Sequence, residues 1–98
     1  MIPPRNILIT DENAHTIYEH LEKALNTCGI KVREENLFDQ ENNLSAQGGR
    51  CRMYEQEIVL VDSAQNLRGK CGILIQALRT ADLSGVFLPP IVRQLLEK

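Results

Sequence analysis

The chain has 98 residues, 43% hydrophobic and 24% charged, with few aromatics, no Trp and a net charge of −2. This composition is globular rather than disordered, and the length makes one domain, 1–98, the natural prior. No apolar run approaches the roughly 20 residues of a membrane-spanning helix, and the acidic balance with few aromatics argues against nucleic acid as a partner.

Charge is split along the chain. Residues 1–49 carry 4 Lys/Arg against 8 Asp/Glu, and residues 50–98 carry 7 against 5. So mild a skew reads as solvated surface. The opening MIPPRNILIT has neither the long apolar stretch nor the small-residue cleavage site of a signal peptide. Three cysteines, Cys28, Cys51 and Cys71, with no C-x-x-C pair, suit reduced thiols better than a disulfide framework. A cytoplasmic protein is therefore expected.

The first element is a helix. Thr10 or Asp11 is placed to cap it and Glu12 to favour the positive end of its dipole. Ala14, Ile17, Tyr18, Leu21, Ala24, Leu25 and Cys28 follow at helical spacing on one face. Gly29 stops it, because glycine takes the left-handed conformation without steric cost. The alternating run IKVRE (30–34) then reads as a half-buried edge strand. NLFDQENNLSAQGG (36–49) is polar and rich in turn formers, which predicts a long loop.

Next, RCRMY (50–54) alternates charged and apolar residues, and EIVLVD (57–62) is a short apolar run suited to a central strand. The two are expected to form a hairpin turning near Glu55-Gln56. Asp62, Ser63 or Asn66 can cap a second helix, whose stripe is Leu67, Cys71, Leu74, Ile75, Leu78 and Ala81. Gly69 and Gly72 inside it each cost about 1 kcal/mol relative to Ala, and read as close-packing positions or a frayed first turn. Gly85 follows. VFLPP docks as an extended segment and Pro89-Pro90 opens a short last helix over IVRQLLEK, with Phe87, Leu88, Ile91, Val92, Leu95 and Leu96 expected in the core.

Three local patterns invite a chemical reading. RGKCG (68–72) lacks the phosphate-loop pattern, since Ala64 stands where the first glycine belongs and Cys71 where Ser or Thr belongs. His15 and His20 are five apart and do not share a helix face; His15 and Glu19 are four apart but off the apolar stripe, which predicts a solvated pair. GGRCR (48–52) is the most unusual text. Arg50 and Arg52 would lower the thiol pKa of an exposed Cys51. The alternation instead predicts Cys51 pointing in and the arginines pointing out. Arg50, Cys51 and Arg52 remain the candidate ligand-binding residues, for an anion.

The order of ALNTCGIKVRE, GGRCRMYEQEIVLVD and LRGKCGILIQALRTADL, covering about two-thirds of the chain, resembles the core of the ImmA/IrrE-type metallopeptidases. They set a strand, a glycine-led hairpin and a zinc helix in this order. The chain is also similar to small uncharacterised bacterial proteins with a GG-x-CR hairpin and a YLPP-like tail. The first resemblance implies a zincin-like fold, with Gln76 at the place of the first zinc ligand, Ala77 at the general base and Thr80 at the second ligand. None of the three can do that chemistry. No catalytic residue, metal or cofactor is expected.

The resulting expectation is an α+β fold. A small antiparallel or mixed three-stranded sheet packs against two main helices, with a short C-terminal helix. The expected function is non-catalytic protein interaction, including self-association, because no catalytic constellation appears and so small a domain gains stability by association. The alternative is a binder or enzyme for a small anionic ligand at Arg50, Cys51 and Arg52.

Overall fold

The computed structural model describes residues 9–36 and 48–97. The elements in chain order are α1 (Ala14–Thr27), β1 (Ile30–Glu35), β2 (Gly48–Met53), β3 (Gln56–Asp62), α2 (Leu67–Arg79) and α3 (Pro90–Leu96). The expected loop falls largely at 37–47, outside the described residues. Its closing glycines do not precede the hairpin but begin β2.

The fold is α+β with a mixed sheet of order β1-β3-β2. β1 runs parallel to β3, with Ile30 opposite Glu57, and β2 runs antiparallel to it, with Arg50 opposite Val59. Among the described residues β3 is therefore the central strand and β1 an edge. A single two-residue turn, Tyr54-Glu55, joins β2 to β3, one residue before the expected position, and both turn residues have positive φ, 53° and 68°. Such a conformation matches the twist of a tight hairpin but ordinarily selects Asn or Gly.

The pleat divides the sheet into two faces. Ile30, Val59 and Val61 join Ile17, Leu21 and Leu25 of α1, Leu74 and Leu78 of α2, and Val92 of α3 in one apolar core. Ile58 and Leu60 alternate to the opposite face, outside that core, and are nevertheless only 5% and 8% exposed.

Capping differs from the expectation at α1 and fits it at α2. The helix α1 begins only at Ala14, so Glu12 lies before it. Thr10 and Asn13 bond one another reciprocally, the Thr10 N–H to Asn13 Oδ1 at 2.7 Å and the Asn13 N–H to Thr10 Oγ1 at 3.3 Å, which makes a turn of the residues expected to open the helix. At its far end Gly29 has φ 83° and donates to the Asn26 carbonyl. In α2, Asn66 is the cap, accepting from the Gly69 N–H at 2.8 Å. In the tail, Leu88, Val92 and Leu95 are buried, whereas Phe87, expected in the core, is 79% exposed.

Candidate functional site

The site is assembled from β2 and the sheet-facing side of α2. Directly opposite residues of an antiparallel pair share a face. Arg50 lies opposite Val59 and Arg52 opposite Glu57, so both arginines are on the helix side; Cys51 lies opposite Ile58, on the other side. The alternation read from the sequence is present: Cys51 is the half-buried residue and both arginines are exposed, although the face that Cys51 shares with Ile58 is the one away from the helices. The arginines point over the edge of the helix-covered face, and Cys51 is half-buried on the face away from it. The structure thus separates Cys51 from Arg50 and Arg52.

Each arginine has a partner. Arg50 Nη2 meets Glu57 Oε1 at 2.6 Å, and Arg52 Nη2 meets Glu57 Oε2 at 2.9 Å. Arg50 Nη1 also donates to the carbonyl oxygen and Oγ1 of Thr80, at 3.1 and 2.9 Å. Thr80 is the C-terminal cap of α2, where the helix dipole favours a cation. Arg50 therefore ties the edge strand to the end of α2. Its hydrogen bond, more than that of Arg52, holds the Glu57 carboxyl below the usual carboxylate range. Two cations against one carboxylate leave an excess positive charge at this end of β2.

Between β2 and α2 lies a groove of about 380 Å³. Gly49 and Arg50 form one wall and Gly69, Gly72, Gln76 and Thr80 the other, with Ile73 and Ala77 also lining it. The glycines have different reasons. A Cβ on Gly69 would collide with the Gln65 side-chain oxygen and press on Asn66 Oδ1, so this first-turn glycine makes room for the cap. A Cβ on Gly72 would meet nothing within 4 Å among the described residues. It is neither close-packed nor in the first turn, so its helix-propensity cost is not recovered by packing against the described residues. Among the described residues β2 also has β3 on one side and no strand on the other. Gln76, Ala77 and Thr80, the positions aligned above with a zinc motif, all line this groove. Among the described residues, no group of three or more His, Cys, Asp or Glu side chains is placed to hold a metal ion.

A second polar cluster was not legible, because it joins residues 16 and 36 positions apart. The Tyr18 hydroxyl donates to Glu34 Oε2 at 2.8 Å, and Lys70 Nζ meets Glu34 Oε1 at 2.9 Å. The Lys70 hydrogen bond, and then that of Tyr18, hold the Glu34 carboxyl below its usual range against partial burial. Burial, and then Glu34, push the Tyr18 phenol well above its usual range. This cluster clamps α1, β1 and α2 together. His15 and Glu19 are 3.4 Å apart and well exposed, a solvated pair as expected.

No protein-family model, curated protein or solved structure matches the chain.

Proposed function

We propose that the chain is a non-catalytic protein-interaction domain and that the groove between β2 and α2 is where it binds. The observation that carries this reading is the space at Gly72. A helix interior that keeps glycine, beside a strand edge with room for another backbone, suits occupancy from outside better than internal packing. The degenerate zincin-like ancestry suggested by the order of elements is compatible with it, since Gln76, Ala77 and Thr80 offer surface rather than chemistry. A small anionic ligand at Arg50, Cys51 and Arg52 is less well supported. Glu57 already neutralises one of the two guanidinium charges, and Cys51 lies on the other face of the sheet.

The test is selection of a displayed random-peptide library on the immobilised chain, with binders mapped by backbone amide shifts. Perturbations are expected at Gly48–Met53 and along α2 from Gly69 to Thr80. No binders, or binders that map elsewhere, would overturn the reading.

A further inference from the structure

The shape and charge of the groove say more about its occupant. We infer that the partner contributes an extended segment that adds to the outer edge of β2 as a fourth strand. It sets a bulky apolar side chain over Gly72 and carries a carboxylate on the same face toward Arg52. This inference rests on the groove being a protein-binding site.

An unpaired strand edge offers a row of backbone donors and acceptors that only another extended backbone satisfies in full. Side chains on one face of an added strand recur every second residue. Those facing the helix side enter the groove, where Ile73 and Ala77 provide apolar wall and Gly72 provides depth. Along the same face of β2 comes the excess charge. Arg50 is held by both Glu57 and Thr80, whereas among the described residues Arg52 makes one polar contact, to Glu57, and it is the more exposed of the two. A guanidinium has five donors in a fixed fork, so Arg52 retains donors for a second carboxylate. A lysine in that position would instead add to the local positive charge. The segment is thus apolar and acidic on one face, with little demand on the other.

The probe is a positional-scanning set of strand-forming peptides about seven residues long, the span of a typical strand with its flanks. One same-face position is varied among Gly, Ala, Leu and Phe, and the next between Glu, Gln and Lys. For the native chain, Leu or Phe with Glu is expected to bind best. In Gly72→Leu the bulky peptides are expected to lose about tenfold or more, the scale of a misfitted apolar pocket, while the Ala peptide is spared. In Arg52→Glu the preference at the charged position is expected to reverse from Glu to Lys. Melting curves establish that each variant is folded. If Gly72→Leu does not fold, Gly72→Ala is used and a smaller shift in the same direction is expected. Peptides that bind in the groove without a size shift at Gly72 or a charge reversal at Arg52 overturn this inference and leave the groove as a binding site. Peptides that do not bind in the groove at all overturn both.

Discussion

At the scale of single residues, Gly72 separates stability from function. Its backbone is helical, and a methyl group there meets nothing within 4 Å among the described residues. Gly72→Ala is expected to stabilise the chain by about 0.5–1 kcal/mol, because alanine loses less backbone entropy on entering a helix. Calorimetry should show the midpoint rising by a few degrees, since 1 kcal/mol is worth about 4–8 °C in a domain of this size. A lower midpoint would mean that the glycine is needed for the fold itself. The cysteines make a second residue-scale test. Cys71 is fully buried and its thiol is pushed up to about 11 by burial, while burial and then Asp82 push up the half-buried Cys28. A thiol reagent is expected to modify Cys51 first, Cys28 more slowly and Cys71 only with denaturant, as read by mass spectrometry over time. Early loss of Cys71 would contradict its place in the core. The sequence made Cys71 legible because a helical stripe fixes which residues face inward. It did not reveal the facing of Cys51, since alternation in a strand gives two sets of residues without saying which set meets the helices.

At the scale of elements, periodicity and punctuation were informative and pairing was not. Gly29, Asn66 and Pro90 mark a stop, a start and a first turn by local chemistry that needs no tertiary partner. The parallel pairing of β1 with β3 joins segments separated by the whole of 36–55, and no local pattern encodes it. The turn lies at Tyr54-Glu55, one residue before the expected position, for a related reason: neither residue favours positive φ, so the register of β2 on β3 sets the turn. The groove was likewise hidden, although an unexplained glycine inside α2 was its trace in the sequence. Proline at the start of α3 and the spacing of Val92 and Leu95 place an apolar face on α1 and α2, while Phe87 lies outside it. Leu88, Val92 and Leu95 are buried, and each is worth about 1.5–3 kcal/mol before entropy costs. That is large beside a total of about 5–15 kcal/mol. Deleting residues 87–98 is expected to abolish the cooperative thermal transition seen by circular dichroism. A truncated chain melting near the full-length midpoint would show that α3 is dispensable to the core.

At the scale of the whole molecule, ionised carboxylates join elements that the apolar core leaves adjustable. Glu34 links α1, β1 and α2 through Tyr18 and Lys70, and Glu57 links β3 to β2 through Arg50 and Arg52, with Arg50 continuing to the end of α2. Both carboxyls are held below their usual range, Glu34 chiefly by Lys70 and Glu57 chiefly by Arg50. A depressed folded-state pKa stabilises the native state above the unfolded value, about 4.3 for Glu, and that contribution disappears as the pH falls through the folded value. The denaturation midpoint is therefore expected to be level from pH 7 to about 5 and to fall once the pH drops below about 4.3, the unfolded value. Solvent screens the exposed Arg52 beside Glu57, so most of the decline should come from Glu34, whose partner Lys70 is largely buried. Glu34→Gln keeps the shape, removes the charge and leaves Lys70 without a counter-ion. It is expected to lower stability at pH 7 and to flatten the fall below pH 4.5, so that the two curves converge in acid. Glu57→Gln should do the same more weakly. Urea titrations of the three proteins at matched ionic strength measure both effects, and parallel curves for wild type and Glu34→Gln down to pH 3 would show that the clamp between the helices and the sheet is not electrostatic.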